Sequence, residues 1–539
     1  MTRTSSSRLF FNGRVYRHID DDRPANAILV DNGSVCWIGD RDDAPLASQY
    51  IDVEGATVLP GITDAHVHLF AIANASLQLD ASGFATIEAL LTAISNRART
   101  LPPGHWLQVS GFDENHLDDD RRYPSLRELD AACPHNPIVV RRFCGHVAIA
   151  NSAVLSAAGI ASVSDAPEGG TFGSLPDGVL DGSAFEAAAE LIFRAVPPPT
   201  PAEMKRALLQ AIRFCNTYGI TAAVEAAVGF TYGFDTEYAI WNGLRADQPS
   251  LPLRLGFMLQ LDAAGAAARN LHPAADRDWQ LDTLKFFSDG IVGGRTAAMF
   301  EPYEDTNSTG LFMRPESELE SLMLEGARAG WRLAVHSVGD RSSAKVLDIL
   351  EKVVTLESAA GRRNRIEHFF CPPENGYDRL AKLGALLVMQ PSFLSRMHRS
   401  FVPAFGPRVH SMYPGRSAIS AGVKYVASSD APTGFLSPWI GMADAVDRAA
   451  RAGGPFGPDE ALTPRAALGA YIHGGAYAMR HEMWRSTLLP GMAADLILVD
   501  RDPMHADAGE IAATRCLMTM VRGRIVHEDN CLRGWTNRS

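Results

Sequence analysis

Residues 63–70, TDAHVHLF, set two histidines one residue apart and put an aspartate two positions before the first. In a strand, positions i, i+2 and i+4 face the same way. Asp64, His66 and His68 therefore share one face. Two imidazoles so spaced can chelate one divalent ion, and a nearby carboxylate can orient a ring. A half-buried strand with a polar face would read the same, so the motif alone decides nothing. Four more residues shift the balance: Lys285 in LKFFSDG, His336 in AVHSVGD, His368 in IEHFF and Asp430 in SSDAP. Each lies in or just after an apolar run. Singly they read as a snorkelling lysine, satisfied core histidines and an aspartate at a helix start. Their recurrence at strand ends is better explained by one shared site. Four imidazoles and a carboxylate suit a borderline divalent ion such as Zn, with Mn, Fe, Co or Ni also compatible. An ammonium group is electrostatically poor beside metal ions. A neutral Lys285 could instead add carbon dioxide, giving a carbamate, an anionic oxygen ligand able to bridge two ions.

The elements that must position these groups are legible in outline. From about residue 215, short apolar strand candidates alternate with stretches of helical periodicity such as ELESLMLEGARAG. The strand candidates are 220–226, 251–259, 283–290, 332–340, 365–370, 385–393 and 424–432. With TVLPGITDAHVHL as the first strand the pattern predicts an α/β fold, a (β/α)8 TIM-like barrel whose chemistry sits at the C-terminal rim. The HxH then lies on strand 1, and the lysine, the two later histidines and the aspartate on strands 4, 5, 6 and 8. Residues 71–215 are too long for one helix or a structureless loop. They contain strand-like WLQVSGFD and PIVVRRFCGHVAIAN, and are expected to form an inserted subdomain over one barrel mouth. Both chain ends are rich in alternating apolar residues and Asn-Gly or Gly turns. Residues 1–58 and 487–539 are expected to build one small β-sandwich, leaving 59–486 to the barrel.

Bulk properties exclude several classes. With 46% hydrophobic and 21% charged residues among 539, the chain is an ordinary globular sequence with material for a large core. A net charge of −12 and no long basic run disfavour a nucleic-acid or anionic-membrane surface. Seven cysteines, an odd number with no CxxC pair, argue against a disulfide framework. No secretory h-region and no long apolar run appear. The expected setting is cytoplasmic, with a small-molecule substrate, no nucleic acid or membrane partner, no organic cofactor, and a homodimer as one candidate assembly.

Several stretches together are specific: LPGITDAHVHL, GFDENHL, GHVAIANSAVL, KFFSDGIVGGRTAAMFEPY, AVHSVGDRSSAKVLDILE, RIEHF, SSDAP and LLPGMAADLILVDRDP. Over nearly its whole length the chain resembles the metal-dependent amidohydrolase superfamily, and within it the family 3 branch that contains N-substituted formamide deformylases. The resemblance implies a barrel with a β-sandwich made from both termini. It implies that His66, His68 and Asp430 bind one divalent ion, that His336 and His368 bind a second, and that N6-carboxylated Lys285 bridges them. A one-metal site would use a subset. It implies hydrolysis of a non-peptide C–N bond, an amide or an N-formyl or N-acyl group, by a metal-activated hydroxide. Asp430 then acts as proton shuttle, and His146 and Arg295 are candidate catalytic donors at the mouth. The alternatives are a cyclic amide, an ester or another C–O or P–O bond, ring deamination, decarboxylation, or a non-catalytic scaffold on the same fold. Departures fall at Glu186, which matches the branch loosely, at His473, where the branch often has Thr, and at Glu225 on strand 2. The glycines of DGIVGGR fit neither phosphate-loop spacing. Phe84, Trp106 and Phe112 are expected in core packing.

Overall fold

The computed structural model describes residues 7–118, 121–143, 146–357, 361–448, 454 and 456–529. The chain divides into two compact units, one of residues 71–208 and one of the remainder.

The larger unit contains eight parallel strands: β1 (Ile62–Val67), β2 (Ile220–Val228), β3 (Arg254–Leu259), β4 (Trp279–Phe287), β5 (Arg332–Ser337), β6 (Arg365–His368), β7 (Leu386–Met389) and β8 (Lys424–Ala427). They pair in chain order, so β1 and β8 end up at the two edges of one sheet. Nearly every residue of these strands is buried, the mark of a parallel sheet covered on both faces. The covering helices are amphipathic. Asp340–Val353 turns Val346, Leu347, Ile349, Leu350 and Val353 inward at helical spacing. The eight strands fall where the apolar runs place them, and the fold is a TIM-like α/β barrel.

The barrel closes through a few bonds at its rim. Asp430 N–H donates to the His66 carbonyl at 2.7 Å, and His68 N–H donates to the Ala431 carbonyl at 2.9 Å. Between them, Ser429 N–H donates to Asp64 Oδ1 at 3.0 Å. The edge strands therefore meet at the residues singled out for chemistry.

One expected strand is two. TVLPGITDAHVHL breaks at Gly61: Thr57–Pro60 pairs antiparallel with Leu496–Val499, and only Ile62–Val67 enters the barrel. A Cβ at Gly61 would lie 2.2 Å from Thr221 Oγ1, so the crossing requires glycine. Thr57–Pro60 belongs to a second sheet of eight strands drawn from both chain ends. Its alternate residues, among them Phe10, Ile28, Val58, Leu496 and Met518, form one core.

A buried ion-pair cluster joins this sheet to the barrel. Asp495 accepts from Arg254 Nε at 2.6 Å and from Arg485 Nε at 3.0 Å. Arg485 also donates to Thr63 Oγ1 at 2.7 Å. Burial opposes the Asp495 charge, but the two guanidinium groups outweigh it and hold its pKa below the usual carboxylate range.

The 71–208 unit carries a six-stranded mixed sheet ordered Gly170–Ser174, Leu180–Glu186, Val147–Ala150, Ile138–Arg142, Leu107–Phe112, Leu79–Asp80. Phe84, Trp106 and Phe112 pack in its hydrophobic cores, as expected. No described helix is long and apolar enough to cross a membrane.

Replacing Asp495 by Asn should cost about 3–5 kcal/mol at neutral pH, because it strands two buried guanidinium groups. A carboxylate depressed on folding stabilises above its unfolded pKa of ~3.9 and loses that contribution as pH falls through the folded value. D495N should therefore also flatten the acid limb of a stability–pH curve measured by urea unfolding.

Candidate metal centre

The donors converge at the C-terminal ends of the strands. Ligand atoms of His66, His368 and Asp430 lie within 4.8 Å of one another, all on buried residues. His68 Nε2 stands 3.1 Å and His66 Nε2 3.4 Å from Asp430 Oδ1. The His336 ring centroid is 4.5 Å from that of His368. Lys285 is 3% exposed, and its Nζ has no hydrogen-bond partner among the described residues. All six ligand candidates thus gather at one rim.

Three imidazoles are held by one nitrogen each, which leaves the other free. His66 Nδ1 meets Glu367 Oε2 at 2.6 Å, and His368 Nδ1 meets Gln390 Oε1 at 2.8 Å. His336 Nε2 meets the Gly290 carbonyl at 3.1 Å. An acceptor on one ring nitrogen makes that nitrogen the N–H and leaves the opposite nitrogen with its lone pair. The holders are themselves held. Arg365 forks onto both oxygens of Glu367, with Nη2 at 2.9 Å from Oε2. Gln390 Nε2 donates to Ser428 Oγ at 3.1 Å. Asp289, in the turn after β4, accepts from Val338, Gly339 and Ala298 N–H groups and so ties the turns after β4 and β5 together.

Strand alternation alone would send His368 away from Glu367. Instead His368 and Phe369 adopt φ of 79° and 47°, and Asp430 adopts 52°. Left-handed backbone at non-glycine residues costs on the order of 1–3 kcal/mol each and clusters at functional sites. Here it turns two ligands into the barrel mouth.

The electrostatics fit a cation. Burial lowers the Lys285 pKa to about 8, although Glu367 and Asp430 oppose the shift. Burial and the nearby lysine lower His336 to about 4. Burial, with His336 beside it, keeps His368 neutral. Asp430 is the converse: burial disfavours its charge, but His66 and His68 hold it well below the usual carboxylate range. Burial likewise works against charge on His68, but Asp430 outweighs it and raises the pKa. Neutral His336 and His368 beside an ionised Asp430, with an orphaned buried amine, are protonation states that suit a divalent ion.

The remaining sequence candidates fall elsewhere. Asp64 orients no ring. Its Oδ1 takes the Ser429 and His66 N–H groups, and burial raises its pKa to about 6. Glu225 Oε2 accepts from Phe70 N–H at 3.0 Å, just beyond the HxH, and burial raises its pKa to about 7. Arg295 is engaged by Asp305 and by the Val292 carbonyl. His146 belongs to the 71–208 unit, where it pairs with Glu186 at 2.9 Å on an exposed surface. His473 lines a cavity at the opposite end of β8, with Lys424 and Tyr425. Sequence reasoning missed Glu367, Arg365, Gln390 and Asp289. The RIEH and SDG stretches beside recognised ligands were the available signal.

With a barrel and a convergent His–Asp–Lys rim, the class is that of metal-dependent hydrolases. The chain belongs to the amidohydrolase family, whose model matches residues 49–527. It is 30% identical to the N-substituted formamide deformylase of Arthrobacter pascens over 528 residues, 94% of this chain and 95% of that one. YtcJ of Bacillus subtilis (strain 168) is 28% identical over 541 residues, covering 96% and 99% of the two chains. An uncharacterized metal-dependent hydrolase from Pyrococcus horikoshii shares the fold at a TM-score of 0.74, with 22% identity over 94% of this chain and 99% of that one. The protein is a hydrolase of carbon–nitrogen bonds, with His66, His368 and Asp430 placed so that they could hold a metal ion.

Glu367→Gln keeps the shape but removes the anion behind His66. Loss of such a partner typically costs 10–100-fold in metal affinity. Competition against a chromogenic chelator should show that loss, with far-UV circular dichroism unchanged.

Proposed function

We propose that this protein hydrolyses an amide, in particular an N-formyl or N-acyl bond, of a small molecule. The observation that carries the reading is the convergence of His66, His368 and Asp430 beside an orphaned buried lysine. The deformylase relative, similar over nearly both whole chains, supports the bond type. In this reading 1–58 and 487–539 form the small β-sandwich domain.

His66, His68 and Asp430 would hold one ion, most readily Zn, and His336 and His368 a second. A divalent ion in such a site brings the pKa of bound water towards ~7 and polarises a carbonyl. Asp430 accepts the proton of the attacking water and returns it to the leaving nitrogen. A single carboxylate suffices because the two transfers are sequential. Its backbone bond to the His66 carbonyl keeps it facing the histidines through both. Glu367 and Gln390 hold their rings and exchange no proton with substrate. Lys285 enters by its neutral form, which burial favours. Its nitrogen could add to carbon dioxide with loss of a proton, and the carbamate would offer anionic oxygens to a bound divalent ion. Arg295, committed to Asp305, and His146, paired with Glu186, are assigned no step.

A panel of N-substituted formamides, acetamides, cyclic amides and esters, assayed with Zn or Mn, should show turnover concentrated in the formamides and acetamides. Turnover of esters alone would overturn the C–N reading. Asp430→Asn should lower kcat by about 10²–10⁴-fold, the usual worth of a positioned acid–base group. An equal rate would remove Asp430 from the chemistry. Apoprotein reconstituted in bicarbonate should take up more metal than in carbon dioxide-free buffer. Equal uptake would remove the carbamate.

A further inference from the structure

At the opposite end of the barrel lies a cleft of about 910 Å³. It opens where the N-terminal ends of β3 and β4 meet two turns of the terminal sheet, around Gly33 and Gly523. Arg8, Arg254, Arg277, Arg522 and Arg524 line it, against only two carboxylates, Asp31 and Asp278. On a chain of net charge −12 such an excess is local and opposite in sign.

The arginines divide into two groups. Arg254 and Arg522 are neutralised: Arg254 by Asp495 and Asp278, Arg522 by Asp278 at 2.8 Å. The other three have no carboxylate partner among the described residues. Arg8 donates to Gln49 Oε1 and to the Gly523 carbonyl, both at 2.9 Å. Arg524 donates to Ser250. Arg277 has no hydrogen bond from its guanidinium to the described residues and lies over the Trp484 ring, 5.1 Å from its centroid. Uncompensated like charges repel one another unless an anion joins them, and a cleft concentrates their field. Neutral partners fix two of the three in place, so little ordering remains to be done on binding.

We propose that this cleft binds a small phosphate-bearing polyanion. The planar guanidinium fork matches phosphate oxygens two at a time. Three uncompensated forks call for a ligand with several charges, and the volume admits a diphosphate or a nucleotide. The two turns that carry the site are pressed together. A Cβ on Gly523 would stand 2.8 Å from Gly33 Cα, so the rim is set by a contact only glycine permits. A ligand there would bridge the terminal sheet and the barrel, and would raise stability by mass action.

Inorganic pyrophosphate, titrated into the metal-loaded enzyme by calorimetry and in thermal melts, tests the site. Saturable binding and a rise in Tm beyond that of sodium chloride at equal ionic strength are expected. Arg277→Gln touches no protein hydrogen bond, so it should fold normally, keep its amidase rate and weaken binding at least about tenfold, the loss of one bidentate charge-assisted contact. R8Q/R277Q/R524Q should lose saturable binding. No saturable response, or an equal one in R277Q, as pyrophosphate acting at the metal centre would give, overturns the proposal. A nucleoside triphosphate binding more tightly than pyrophosphate identifies a nucleotide as the source. Equal or weaker binding identifies the free diphosphate.

Discussion

The structure depends on how β1 is joined to β8. A parallel barrel must close on itself, and here closure rests on three donors at one rim: the backbone N–H groups of His68, Ser429 and Asp430. The same short stretch carries three of the six ligand candidates. Closing the barrel and assembling the site are therefore one event. Asp64 belongs to this seam, which is why its carboxylate is buried without touching an imidazole. A barrel left open here would separate the HxH from its carboxylate.

The interior beneath the rim is unusually polar. Arg365, Glu367, Lys285 and Arg332 are all buried within or beside the strands. Buried charges contribute little stability by themselves and are costly unless paired. Arg365, Glu367 and His66 satisfy one another in a chain that ends at an open ring nitrogen. Arg332 donates from Nε and Nη1 to the carbonyls of Arg363 and Ala478, while its Nη2 has no partner among the described residues. Lys285 Nζ has no hydrogen-bond partner among the described residues, so the cost of burying it is left to whatever binds or modifies it. The protein carries this expense where strained φ values also gather, at His368 and Asp430.

Much of this was legible without coordinates. The barrel strands announce themselves because parallel strands buried on both faces are short continuous apolar runs, and helices between them have their own period. The six ligand candidates were legible because strand ends are where barrel chemistry lies. Glu367 was not. It sits inside RIEHFF, where a charged pair in a strand reads as a solvated edge, and nothing local says that β6 passes His66. Gln390 was hidden in the same way in LLVMQPSF, a run that reads as core. Arg295 and His146 were legible by type but not by partner. Their residue types suit oxyanion contacts, but what a side chain does depends on the partner within reach, and theirs are Asp305 and Glu186.

The sequence by itself determined the strand count, the donor types and their order along the chain, because hydrophobic period and residue chemistry are local properties. Only the tertiary structure decided which nitrogen of these three imidazoles is left free, since that depends on acceptors brought in from elsewhere in the chain, 301 residues away for His66, 46 for His336 and 22 for His368. It alone decided that His368 and Asp430 adopt left-handed backbone, since bonds to other strands brace both turns, Phe369 N–H on the Ser337 carbonyl and Asp430 N–H on the His66 carbonyl. It also split TVLPGITDAHVHL at Gly61, where one continuous apolar pattern feeds two different sheets.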